Sequence, residues 1–100
     1  MTVKEFKIQY ALGALSNEMK EDFASNKNTP KKILAVLSKD EYWGTRYAVA
    51  LNESTPIKTL EILSEDKDKW VRSSVAKNNN TPVEILEVLS KDEDYLIKSY

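Results

Sequence analysis

The chain has no cysteine and no histidine among its 100 residues. Without cysteine it can hold no disulfide and no thiolate-bound metal. Without histidine it lacks the commonest general base and the commonest transition-metal ligand. Glycine and proline are also scarce, at two and three residues. That leaves no flexible linker and no low-complexity tract. No apolar run approaches the ~18 residues that span a membrane. The first ten residues, MTVKEFKIQY, are charged and carry no signal-peptide core, so the expected location is cytoplasmic. The net charge of -1 supplies no general attraction to nucleic acid. The length is that of one domain, residues 1–100.

What the chain does have is a period. Its three prolines fall in Thr29-Pro30, Thr55-Pro56 and Thr81-Pro82, at equal spacing. Leu34, Leu60 and Leu86 repeat in phase, as do Leu37, Leu63 and Leu89. Ser38, Ser64 and Ser90 follow, then Asp40, Asp66 and Asp92, then Arg46, Arg72 and Lys98. A sustained period of this length is the signature of a repeat architecture. It divides the chain into residues 27–52, 53–78 and 79–100, preceded by residues 1–26.

Within the middle copy, Thr55 followed by Pro56 reads as a helix start, a hydroxyl N-cap before a first-turn proline. Thr81 and Glu84 add a capping-box spacing. Apolar residues at 57, 60, 62 and 63 predict a short helix with a broad buried stripe. Ile33, Leu34, Val36 and Leu37 match them in one copy, and Ile85, Leu86, Val88 and Leu89 in the other. Asp66 is then the expected cap of a second helix through Trp70, Val71, Val75 and Ala76. Asn26, Asn52 and Asn78 end these second helices, a place where a left-handed residue is common. Helices of eight to ten residues are not stable alone in water. Stacked neighbours must bury their faces. Residues 1–26 lack Thr-Pro and the leucines. Val3, Phe6, Tyr10 and Leu12–Leu15 suggest one longer helix, a degenerate N-terminal cap.

The phrase N-x-x-T-P-x-x-x-L-x-x-L-S-x-D, followed by V-R-x-x-V-A, resembles the variant leucine-rich repeat group and is similar to HEAT-like repeats. Asn52 to Asn78 carries it best, with Val71-Arg72-Ser73-Ser74-Val75-Ala76 as the signature. The resemblance implies an all-α fold, a short right-handed α-solenoid of about three 26-residue helix-pair repeats with an N-terminal helical cap. It also implies a ladder between repeats made by Asp40, Asp66 and Asp92 with Arg46, Arg72 and Lys98. Thr45 departs from the pattern, standing where Val71 and Ile97 do, and Lys98 replaces the arginine. Iron–sulfur clusters of some relatives need cysteine, so no cofactor carries over.

Residues that break the period are the candidates for function. Tyr42 and Trp43 stand where the next copy has Asp68 and Lys69, and Tyr47 where it has Ser73. Trp43 and Tyr47 are four apart and share a helical face. Aromatics with a polar handle are favoured at interfaces. The candidate contact patch is Tyr42, Trp43, Arg46 and Tyr47, joined by Lys69, Trp70 and Arg72 from the next copy. The competing expectation is that the rings pack against residues 1–26. No Gly-rich phosphate loop, no H-E-x-x-H and no nucleophile with a histidine base is present, so no enzyme is expected.

The expected function is therefore a non-catalytic protein–protein interaction module using the second-helix face. Two alternatives stay open. Nucleic-acid binding would use Arg46, Arg72, Lys69, Lys27, Lys31 and Lys32, against the overall charge. Self-assembly as a homo-oligomer would use apolar surface near Leu96 and Ile97. The copies step in charge from +3 over 27–52, through 0, to -3 over 79–100, which would suit a head-to-tail contact.

Overall fold

The structure is a computed structural model, and it describes residues 1–92. Those residues form seven helices and no strand. In chain order they are α1 (Val3–Ala11), α2 (Asn17–Ser25), α3 (Lys31–Leu37), α4 (Trp43–Leu51), α5 (Ile57–Leu63), α6 (Lys69–Lys77) and α7 (Val83–Leu89). The sequence period is reproduced in the bounds. Helices α3, α5 and α7 have seven residues each, and α2, α4 and α6 have nine. Helix α4 packs between α2 and α6, while α1 packs on α3 and each short helix on its long neighbour. The described chain is elongated, 39 × 20 × 16 Å. None of its helices is long and apolar enough to cross a membrane.

The core follows the leucines. Leu34, Leu37, Leu60, Leu63, Val49, Val71 and Val75 are buried. The buried stripe of the short helices is narrower than the apolar pattern predicts. Ile57 and Ile62 are 56% and 54% exposed, and Thr59 is buried in their place. Thr59 is in phase with Ile33 and Ile85, the buried positions of α3 and α7. A seven-residue helix has fewer than two full turns, so only one row of side chains faces its neighbour.

The N-terminal segment, residues 1–26, does not make one longer helix. It folds as a pair, α1 and α2, separated by a turn in which Gly13 takes φ 70. Thr2 and Glu5 form a capping box on α1, and the Ser16 side chain caps α2 through the Met19 N–H. Helix α2 is in phase with α4 and α6, so residues 17–25 join the long-helix layer. Phe6 is fully buried here, edge-on to Phe23 at 5.1 Å and stacked with Tyr10 at 6.0 Å. This aromatic cluster ties α1 to α2.

Three expected local roles become contacts between elements. Thr29, Thr55 and Thr81 do not cap the following helix, and no capping box forms at Thr81 and Glu84. Each hydroxyl instead donates at 2.6 Å to a carbonyl of the preceding long helix, at Phe23, Val49 and Val75. The prolines take the N-cap place themselves. Asp66 does not cap α6; Asp68 does, accepting from Trp70 N at 2.8 Å and Val71 N at 3.2 Å. Asn52 and Asn78 are extended, not left-handed, with φ -69 and ψ 122 and 125. No non-glycine residue among those described has positive φ.

The asparagines form a ladder. Asn52 Nδ2 donates to Ala24 O at 2.8 Å and Asn26 O at 3.0 Å. Asn78 Nδ2 donates to Ala50 O at 2.8 Å and Asn52 O at 3.1 Å. Each thus satisfies carbonyls at the C-terminal end of the preceding long helix, where backbone acceptors have no partner within the helix. The Oδ1 atoms accept from the N–H two residues on, at Asn28, Ser54 and Asn80. Helix end and neighbouring turn are tied by one side chain.

Candidate functional site

A second ladder runs through the charged residues. Arg46 Nε donates to Asp66 Oδ2 at 2.8 Å, and Arg72 Nε to Asp92 Oδ2 at 2.7 Å. Arg46 Nη1 also reaches the carbonyls of Asp40 at 2.7 Å and Glu41 at 3.0 Å. Lys20 occupies the same place one period earlier, with Nζ at 3.0 and 3.1 Å from the Asp40 carboxylate. Its role was not read from the sequence, although its position one full period before Arg46 signals it. Asp40 further accepts from Tyr10 Oη at 2.7 Å and from the Tyr42 N–H at 3.2 Å. Burial pulls the Asp40 carboxyl up, but the bonds from Tyr10, Lys20 and Tyr42 and the Lys20 charge outweigh it and hold it below the usual range. Burial, then the Asp40 bond, pushes the Tyr10 phenol up to about 12.

The ladder separates the predicted site residues. Arg46 is 7% exposed, and both edges of its guanidinium are occupied. Arg72 is engaged in the same way with Asp92 and the Asp66 carbonyl. Lys69 and Trp70 form a pair on α6, with Lys69 Nζ 5.4 Å from the ring centre. Leu96, Ile97 and Lys98 lie outside the described residues.

Tyr42, Trp43 and Tyr47 do come together. Trp43 lies edge-on to Tyr47 at 5.8 Å and is tilted 56° from Tyr42 at 6.1 Å. These rings line a groove of about 430 Å³ between α4 and α2. Its opposite wall carries Glu21 and Ser25, and Gly44 and Leu51 complete it on the α4 side. The rings thus meet the N-terminal pair at its long helix, α2. Tyr47 reaches the core edge, whereas Trp43 remains 44% exposed.

Three consecutive residues here depart from what their in-phase neighbours do. Ser16 and Asp68 cap α2 and α6 with their side chains, but Tyr42, at the N-cap of α4, makes no such bond. An uncapped start costs about 1 kcal/mol. Trp43 leaves a large apolar ring half in water. Gly44 stands in the first turn where α6 has Trp70, and glycine disfavours helix by about 1 kcal/mol relative to alanine. A methyl group on Gly44 would meet Tyr42 Cε2 at 2.6 Å and Glu21 Oε1 at 2.7 Å. The missing side chain is what lets the tyrosine ring and the carboxylate converge. Gly44 and Glu21 were not singled out from the sequence. One of only two glycines, standing in phase with a tryptophan, was the available signal.

Comparison with protein-family models, curated proteins and solved structures returned no match.

Proposed function

We propose that the chain is a non-catalytic protein-interaction module that docks a partner protein in the α2–α4 groove of its long-helix face. The proposed architecture is a short right-handed α-solenoid with three helix-pair repeats over 27–100 and an N-terminal cap over 1–26, of the variant leucine-rich and HEAT-like kind. The observation that carries the functional reading is the run Tyr42-Trp43-Gly44. It forgoes a helix cap, leaves an indole exposed and places glycine inside a helix, all at one groove. Local rules broken together without structural gain mark functional positions. Groups that maintain stacking, the asparagine, threonine and arginine rows, recur with the period. The groove's ring residues Tyr42, Trp43 and Tyr47 do not. A nucleic-acid reading would need Arg46 and Arg72, and their guanidinium groups are already bound to Asp66 and Asp92.

Affinity capture from a lysate tests this, with wild type beside Trp43→Ala and Tyr42→Ser. Both variants should fold with a melting temperature near wild type, because Trp43 is half exposed and serine can cap α4. A defined set of proteins should be retained by wild type and lost by both variants. Retention of the same set by both variants would rule out the groove as the docking site.

A further inference from the structure

The two walls of the groove differ in chemistry. The α4 wall is aromatic, with Tyr42, Trp43 and Tyr47 inclined to one another at 56° and 79°. The α2 wall is acidic. Among the described residues, Glu21 is the only charged one lining the groove. Glu18 and Asp22 lie three residues before and one after it, so the three carboxylates share one side of α2. The basic residue of that helix, Lys20, is held in the ladder by Asp40. The ion pairs of Lys20, Arg46 and Arg72 do not involve Glu21. The lysines that make residues 27–52 net positive are Lys27, Lys31, Lys32 and Lys39, and none of them lines the groove.

Aromatic faces attract cations through their quadrupoles, and a carboxylate beside them adds charge and hydrogen-bond acceptance. The cation that uses both walls is a guanidinium. It is planar, weakly hydrated, stacks on rings and presents paired N–H donors to a carboxylate. A lysine ammonium is more strongly hydrated and cannot stack. A quaternary ammonium would use the rings but has no N–H for Glu21. We infer that the groove takes an arginine side chain of the partner protein, stacked in the Tyr42–Trp43–Tyr47 cluster and hydrogen-bonded to Glu21. This inference rests on the interaction-module reading and names the group recognised.

Gly44 is the positioning element. The Tyr42 ring and the Glu21 carboxylate can approach each other only because position 44 has no Cβ. Both overlapping groups are side-chain ends, so alanine there would push them aside without disturbing the backbone.

The test is a titration followed by amide NMR and by tryptophan fluorescence in a Trp70→Phe background, where Trp43 is the remaining indole. The probe is an acetylated, amidated Gly-Arg-Gly tripeptide. Matched peptides carry lysine, trimethyl-lysine or citrulline in place of arginine. The arginine peptide should give saturable shifts centred on Glu21, Trp43 and Gly44. The citrulline peptide should give none, and the lysine and trimethyl-lysine peptides should bind several-fold more weakly. Glu21→Gln and Gly44→Ala, both folded, should each weaken arginine binding by about tenfold, the loss of one charge-assisted contact. Equal binding by Glu21→Gln, stronger binding of trimethyl-lysine, or no saturable shift would overturn the inference. Partner capture lost in Trp43→Ala but unchanged in Glu21→Gln would overturn it while leaving the module reading standing.

Discussion

Replacing Asn52 by alanine removes three hydrogen bonds at once. Its Nδ2 donates to the carbonyls of Ala24 and Asn26, and its Oδ1 accepts from the Ser54 N–H at 2.9 Å. The side chain is 5% exposed, so water cannot readily take its place. Each lost bond is worth about 1 kcal/mol, and a buried carbonyl left unpaired costs about 1–3 kcal/mol. The expected loss is about 3 kcal/mol, a large part of a total of roughly 5–15 kcal/mol. Asn78→Ala should cost a similar amount, since Ala50, Asn52 and Asn80 stand in the same relation to it. Asn26→Ala should cost about 0.5 kcal/mol, because Asn26 is exposed and its side chain accepts only from Asn28 N at 2.8 Å. Asn52→Asp keeps the acceptor but places a carboxylate against two carbonyls, and should be no better than alanine. Urea denaturation at neutral pH measures the differences. Thermal melting should show drops of roughly 10–25 °C for Asn52→Ala, at about 4–8 °C per kcal/mol for a chain of this size. Equal losses for Asn26→Ala and Asn52→Ala would refute the reasoning, because the three residues would then be acting locally.

Thr45→Val should stabilise by about 1 kcal/mol, because the buried Thr45 hydroxyl has no hydrogen-bond partner and valine has nearly the same shape; a urea midpoint at or below wild type would count against it. Arg46→Ala should destabilise by about 3 kcal/mol, leaving the Asp66 carboxylate without its cation and two carbonyls without a donor, and Arg72→Ala by less, since the Arg72–Asp92 pair is more exposed. The order of the two urea midpoints decides that. Asp40 is depressed in the folded state, so its contribution is present above the ordinary carboxylate value near 3.8 and is lost as pH falls through its lower folded value. Stability should drop below pH ~4, and less steeply in Asp40→Asn. Tyr10 is raised, so its contribution is complete below the ordinary value of 10.0 and is lost as pH rises through about 12. An ultraviolet titration should show a late tyrosine step that is lost in Tyr10→Phe.

Much of the helix pattern was legible in the chain. The leucines at 34, 37, 60 and 63 report the buried row, because burial demands apolar volume at fixed spacing. The second helix through Trp70, Val71 and Val75 was legible for the same reason. Residues 1–26 were not, because their buried contacts are made largely by Phe6, Tyr10 and Phe23, outside the leucine pattern of the later copies. Of the site, the ring trio was visible as a break in phase. Glu21 was not, since it lies on the long helix of the preceding pair, far along the chain from the rings it faces.

The polar residues show where sequence reasoning stops. Threonine before proline, aspartate after a short helix and asparagine at a helix end each have a strong local use. Within a window of four residues those uses compete on near-equal terms. The structure offers each a partner 6 to 28 residues away, held in place by the packing of successive helices. A buried carbonyl or carboxylate with no other partner outweighs a solvent-exposed cap, so the distant contact wins. The sequence alone determined the period, the helices from Lys31 to Lys77 and the positions that depart from the period. Only the tertiary structure decided which backbone groups the repeated polar side chains satisfy, and that Tyr42, Trp43 and Tyr47 line a groove with Glu21 of α2, where Gly44 lets ring and carboxylate approach. The physical reason is range: periodicity is written in neighbours along the chain, while partners are chosen by what packing buries beside them.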